Sequence, residues 1–306
     1  MAAQVWEVDN ATYHADMSKI GSSMLATILN DPTEYYRRYV GKAADGNPLE
    51  PHKQTEALLL GSLLHCLVLE PDKYDALYAV EPEGIDRRTN AGKEAAAAHA
   101  LASIGKETVP YDLDQQARGM ALSIRNDAGV QELMDGGIYE QPILWDETFP
   151  AVGDLPAVTI TCKCKADILV PLVSCDHNLL LDIKSDKEPG PSNFLSPTAS
   201  NSIRKYYYHM RLHHYTRGLL ALTGKPCRVG LIVVGKEEPF HTFLYEITGW
   251  MEVGEMHWHE AMRRVREGMA TGAWKHPCQG RVNVCEPVQW DLNPPVGYGI
   301  NEEESA

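Results

Sequence analysis

Two runs with the period of a β-strand constrain this chain more than any other feature: Lys163-Cys164-Lys165-Ala166-Asp167-Ile168-Leu169-Val170 and Leu179-Leu180-Leu181-Asp182-Ile183-Lys184-Ser185. Each is a short block of apolar or β-branched residues. Pro171, Ser174, Asp176 and Asn178 punctuate the gap, so the pair reads as an antiparallel hairpin within a sheet. Side chains alternate faces along a strand, which puts Asp182 and Lys184 on one side and Leu181 and Ile183 on the other. By the same rule Lys163, Lys165 and Asp167 share a face. Two carboxylates and a lysine are therefore expected to converge on one side of the sheet.

A carboxylate pair of this kind suits Mg²⁺, which takes oxygen ligands at roughly 2.0–2.1 Å and keeps positions open for water and a substrate phosphate. Lys184 lies roughly 6.6 Å beyond Asp182 at ~3.3 Å per residue, within reach of a water attacking phosphorus. The implied chemistry is phosphodiester hydrolysis. An Asp-x-Lys tripeptide by itself is common and ordinarily marks a solvated strand end, so the rest of the chain has to carry the reading.

The chain has 306 residues, enough for one large domain or two smaller ones with a substantial core. Its formal charge of −14 argues against coating nucleic acid or an anionic membrane with the whole surface, but it leaves room for a local cationic groove. From Thr198 to Gly230 the charged residues are Arg204, Lys205, Arg211, Arg217, Lys225 and Arg228, with no acid among them, whereas the tail Asn301-Glu302-Glu303-Glu304-Ser305 is acidic. That asymmetry suits an enzyme that confines a polyanion to one face. Seven scattered cysteines, an odd number without a signal peptide, point to a reduced cytoplasmic setting. The longest apolar run, Ala57 to Leu69, contains His65 and is too short to span a membrane.

Taken in order, the chain opens on an extended stretch, Gln4 to Val8, followed by a short helix that Ser22 or Ser23 can cap. Asp31-Pro32-Thr33-Glu34 starts another helix carrying Tyr35, Tyr36, Arg37, Arg38 and Tyr39, a cluster suited either to surface packing or to DNA contact. Lys53 to Glu70 reads as a helix with a wide leucine stripe, and His65 lies within that stripe. Helices are also expected over Ala91–Ile104, Leu113–Asn126, Ala199–Thr223 and Trp250–Met269, and strands over Ile138–Asp146, Val229–Val234 and Phe240–Ile247. Arg88 and Lys93, at a loop-to-helix junction, are candidates to hold a phosphate. On the helix after the hairpin, Tyr208, Arg211, His214 and Tyr215 share one face by their spacing of three and four. The division expected is a domain over 1–272 and an irregular arm over 273–306.

With these residues in view the chain resembles the PD-(D/E)xK nuclease superfamily, with Ala166-Asp167 standing in place of Pro-Asp and Asp182-Ile183-Lys184 fifteen residues on. Within it, the chain resembles the RecE-like (exonuclease VIII type) enzymes of phage and prophage recombination. The resemblance rests on Tyr13-His14-Ala15 with Ser18-Lys19, the block Gly61 to Pro71, Asp86-Arg87-Arg88-Thr89 with Gly92-Lys93, Lys165-Ala166-Asp167, Asp182-Ile183-Lys184 and Tyr208 to Tyr215. It implies an α/β, restriction-endonuclease-like core with a central mixed sheet flanked by helices. It also implies a Mg²⁺-dependent exonuclease, Mn²⁺ able to substitute, that degrades linear double-stranded DNA from the 5′ end and leaves a 3′ overhang for a single-strand annealing protein. His65, Asp167, Asp182 and the Ile183 carbonyl would hold two metal ions, and Lys184 would be the catalytic lysine. Arg211, standing where the family has Gln, would join Tyr215, Arg88, Lys93 and Lys165 on the DNA. Related enzymes form rings, so a trimer or tetramer is expected.

Other readings compete. Cys162-x-Cys164 with Cys175-x-His177 could bind zinc, although the spacing departs from the usual C-x₂-C; Cys278 and Cys285 lack the companions an iron–sulfur cluster needs. A sequence-specific endonuclease of a restriction or repair system is the nearest enzymatic rival, and a catalytically silent module that binds DNA ends is the third class.

Overall fold

Val158–Val170 carries six β-branched residues in thirteen, a density that favours a long strand over a helix. In the computed structural model, which describes residues 3–275 apart from 52, 85, 87, 199 and 200, together with 279, 280 and 282, it is the spine of a six-stranded sheet. The chain begins with β1 (Gln4–Val5), α1 (Asn10–Ala15), α2 (Ser22–Asn30) and α3 (Pro32–Tyr35), the last running into a π-helical turn over Tyr36–Val40. Then come α4 (Glu56–Leu69), α5 (Tyr74–Leu77), β2 (Tyr78–Val80), α6 (Asn90–Ala102), β3 (Glu107–Val109), α7 (Tyr111–Asn126) and α8 (Ala128–Met134). The hairpin β4 (Ile138–Phe149) and β5 (Val158–Val170) is followed by β6 (Asn178–Asp186), α9 (Pro191–Phe194), α10 (Ser202–Lys205), α11 (Tyr208–Thr223), β7 (Cys227–Gly235), β8 (Thr242–Glu246) and α12 (Met251–Thr271).

The sheet order is β1-β4-β5-β6-β7-β8, antiparallel throughout except for β6 and β7. That parallel pair is joined by the crossover through α11, which packs on the sheet. Helices cover both faces. Leu180 of β6 with Leu231 and Val233 of β7 pack into one core with residues of α2, α11 and α12, while Leu181 and Ile183 with Ile232 and Val234 pack into a second core under α4 and α7. The observed architecture is the mixed, helix-flanked sheet expected from the sequence.

Two differences from the sequence reading matter for the site. The helix expected over 199–223 is interrupted: Tyr207 stands at φ 55°, ψ 35°, a left-handed conformation that costs a non-glycine residue about 1–3 kcal/mol. The long helix becomes α10 and α11 as a result. The second difference concerns the cations. Arg37 and Arg38 are paired with Glu50 and Glu34, Arg217 with Glu147, and Arg228 with Glu246. Lys225 donates to the carbonyls of Leu172 and Cys175. Three of the six cations between Thr198 and Gly230, Arg217, Lys225 and Arg228, are therefore engaged in holding the fold.

Smaller differences are local. Gly21, not a serine, is the N-cap of α2, and β2 with β3 forms a separate two-stranded parallel sheet that the sequence did not announce. No helix of the described residues is long and apolar enough to cross a membrane. Residues Met1–Trp274 make one compact unit; the arm expected over 273–306 lies almost wholly outside the described residues, as do Cys278 and Cys285.

Candidate active site

The sheet opens at one level. β5 and β6 are paired only through Ile168–Leu181, Leu169–Leu180 and Val170–Leu179, so the strands part at the next position, that of Asp167 and Asp182. On the other side of β5 the β4 ladder is continuous except at one place, between Tyr139–Ile168 and Gln141–Ala166, where Glu140 faces Asp167. Glu140 sits at φ 50°, in the left-handed region. The alternation of β5 changes phase there: Cys162, Cys164 and Ala166 lie in one core, whereas Ile168 and Val170 lie in the other. A one-residue break in the pleat reverses which face each side chain takes. The edge of β5 vacated by β6 is closed by Ile20, whose N–H donates to Thr161 O (3.0 Å) and whose carbonyl accepts from Lys163 N (2.8 Å).

Into this opening six side chains project. His65 arrives from α4, held there by the buried leucines 59, 60, 63, 64 and 67. Its Nδ1 is 3.4 Å from Glu140 Oε1 and 3.6 Å from Asp167 Oδ1, and its Nε2 is 3.1 Å from the Ile183 carbonyl. Asp167 Oδ2 accepts from the Ile183 N–H at 2.8 Å, a side chain taking the place of the missing ladder partner. Lys184 pairs with Asp182 and donates to the Ile183 carbonyl at 3.1 Å. Asp182 Oδ2 is buried, and although the Lys184 ammonium lies against it, no donor is aligned for a hydrogen bond to it. Lys165 pairs with Glu140 and donates to Asn10 Oδ1 at 3.0 Å.

The charges are crowded. Burial and the neighbouring Asp182 push the Asp167 carboxyl up to about 7, against the pull of His65 and Lys184. Burial works against ionisation of Glu140 too, but the hydrogen bond from His65 and the charge of Lys165 outweigh it and hold the carboxyl at about 2. Burial would lower His65; Asp167 and Glu140 instead raise it to about 9. Lys184 is raised as well, its desolvation overcome by Asp182 and Asp167. A cluster in which one imidazole and two ammonium groups are set against three crowded carboxylates is suited to a divalent cation.

Other sequence candidates fall into three groups. Tyr215 of α11 feels the charges of Asp182 and Asp167 and bonds to Ser22, its phenol raised chiefly by burial. Arg211, one turn earlier, has a buried Nε with no hydrogen-bond partner among the described residues. Lys163 does not join Asp167 as face-sharing implied; past the pleat break it turns to the carbonyls of Tyr13 (2.5 Å) and Asp16 (2.6 Å). Arg88 is 91% exposed and paired with Asp86, and Lys93 is exposed on the first turn of α6; no described contact ties either to the cluster. Arg87 lies outside the described residues.

Glu140 is the residue that motif reading missed. His65, Glu140 and Asp167 are the one metal-competent group among the described residues, their ligand atoms lying within 4.8 Å of one another. The zinc reading thus has no support from Cys162 and Cys164, which are buried core thiols, or from His177, which is bonded to Asp176. An apolar cleft of about 470 Å³ between α8 and strands β6 to β8 is lined by His177 but by none of His65, Glu140, Asp167, Asp182 and Lys184.

A family profile described as a PDDEXK-like domain of unknown function matches residues 22–287. Among solved structures, the fold is similar to that of a candidate exonuclease from Eubacterium rectale, with a TM-score of 0.54 at 12% identity, covering 95% of this chain and 100% of that one. No curated protein sequence matches.

Proposed function

Because the chain belongs to this PDDEXK-like family, and hence to the PD-(D/E)xK nuclease superfamily, we propose that it is a Mg²⁺-dependent exonuclease of the RecE-like type. It degrades linear duplex DNA 5′ to 3′ and leaves 3′ single strands for an annealing protein. The observation that carries the reading is the sheet opening, where His65, Glu140, Asp167, Asp182 and Lys184 meet at one level. The donor set fits the ion: carboxylates and the Ile183 carbonyl are the hard oxygens that Mg²⁺ and Mn²⁺ prefer, and one imidazole is compatible with both.

Asp167, Asp182, His65, the Ile183 carbonyl and Glu140 would hold the cations. When bound, two such ions would polarise the scissile phosphate, lower the pKa of the attacking water and neutralise the leaving 3′ oxygen. The protein's own groups do the rest. Asp182 and the Ile183 carbonyl fix the Lys184 ammonium, which orients the water and offsets charge gathering on the phosphorus. Asp167, anchored on the Ile183 N–H, keeps β5 and β6 at a fixed separation across the opening. Arg211 and Tyr215, on the helix beside it, contact the phosphate.

Digestion of duplexes labelled at either end tests the reading. Loss of the 5′ label first, with covalently closed plasmid left intact and Asp182→Ala inactive, is the expected result. Loss of the 3′ label first refutes the polarity, and discrete products from closed plasmid would mean an endonuclease.

A further inference from the structure

An aromatic path leads out of the site. The Lys184 Nζ lies 5.6 Å from the centre of the Tyr208 ring, Tyr208 meets Tyr206 with ring centres 5.5 Å apart, and the Lys205 Nζ stands 5.0 Å over Tyr206. Tyr208 is buried, whereas Tyr206 is 42% exposed. An exposed aromatic ring therefore stands two contacts from the lysine assigned to the chemistry.

This contact is not a by-product of helical packing. Residues two apart on a helix point to opposite sides and do not meet. Tyr206 and Tyr208 meet because Tyr207 between them takes the left-handed conformation, which separates α10 from α11. The segment is fixed by hydrogen bonds from Tyr206 N to Ser202 O, Tyr207 N to Arg204 O and Arg211 N to Tyr207 O. The Tyr207 ring turns the other way, against His209 and His257.

We infer that Tyr206 is a stacking platform for a base of the strand being cut, next to the scissile phosphate, with Lys205 serving the adjoining phosphate. The inference rests on the nuclease reading of the site. Base–aromatic stacking is stronger than an exposed cation–π contact, so an arriving base displaces the Lys205 ammonium from the ring. The displaced ammonium is then free to pair with backbone phosphate. Because every base has a π-face, the platform serves an enzyme that must advance through any sequence. Tyr206 is a positioning residue and takes no part in bond making.

The full-length protein is assayed on a blunt duplex with 2-aminopurine at the 5′-penultimate position. For Tyr206→Ala, KM rises about tenfold with kcat within about twofold, and the fluorescence quenching seen on binding to the wild type is lost. Tyr206→Trp restores both, and Lys205→Ala reduces the slope of log affinity against log salt by about 1. Wild-type digestion with Tyr206→Ala unaltered in KM and in fluorescence overturns the platform and leaves the nuclease reading standing. So does a fall in kcat alone, or failure of Trp to rescue. A wild type that cuts no DNA under any divalent cation overturns the nuclease reading, and the platform with it.

Discussion

Lys184 and Glu140 make the clearest single-residue tests. Lys184→Ala is expected to lower kcat by about 10²–10⁴-fold, the range of a positioned acid–base group, with little change in the Mg²⁺ requirement. Glu140→Gln should act on the cation instead, raising the Mg²⁺ concentration for half-maximal activity by about tenfold or more. A titration of activity against Mg²⁺ separates the two, and an unaltered midpoint for Glu140→Gln would remove it from the ligand set. Asp167, Asp182, Lys184 and His65 were legible in the sequence because each lies in a motif with a spacing. Glu140 lies in Ile-Tyr-Glu-Gln-Pro, which has none, and it converges only because the ladder breaks and its backbone turns left-handed. A signal was nonetheless present: counting outward from the Gly153-Asp154 turn, residue 140 falls opposite 167.

At the scale of elements, α11 is the piece on which most else leans. His214, fully buried, accepts a hydrogen bond from Trp258 of α12 on Nδ1 (3.0 Å), which leaves Nε2–H to donate to the Lys163 carbonyl of β5 (3.0 Å). Neutral imidazole satisfies both partners; imidazolium cannot. Burial lowers His209, His213 and His214 to about 4 from an ordinary 6.5. The unfolded chain thus binds more protons between about pH 6.5 and 4, and stability falls as pH drops through that window. His65 shifts upward and is protonated in both states below pH 6.5, so it adds nothing there, while Asp167, raised to about 7, takes up its proton first in the folded state and offsets part of the loss from the three histidines. A lower thermal midpoint at pH 5 than at pH 7, by several kcal/mol of stability, is expected; identical midpoints would contradict neutral buried imidazoles. Where α11 meets α12, a Cβ on Gly254 would come within 2.4 Å of the His209 carbonyl oxygen, a backbone atom that cannot yield. Gly254→Ala should therefore destabilise by about 1–3 kcal/mol, read as a lower denaturant midpoint. Periodicity gave α4, α7 and α12 to within a few residues, but it ran α10 and α11 together. Nothing in Tyr206-Tyr207-Tyr208 announces a left-handed residue.

For the molecule as a whole, the proposed attack confined to DNA ends would need something beyond the candidate site, which the ring implied by the resemblance would supply. Light scattering on the eluting protein should give a trimer or tetramer, and monomer alone at working concentration would remove the ring. Added Mg²⁺ should raise the melting temperature in a saturable way, because a cation that binds only the folded state stabilises by mass action, and Asp182→Asn should lose most of that rise. A mixed sheet flanked by helices was implied by the resemblance and one antiparallel hairpin by the two strand runs, but the order of the strands and the division into two cores came only with the structure. So did the seal at the opening, because Ile20 belongs to no motif and pairs with β5 across more than a hundred residues. That seal has a practical side. The family profile begins at residue 22, so a truncated protein trimmed to its bounds would be missing Ile20 and would bare the hydrogen-bonding groups of Thr161 and Lys163 on the strand that carries Asp167. Such a fragment should misassociate through that raw strand edge and pass for an inactive protein when only its amino-terminal latch has been cut away.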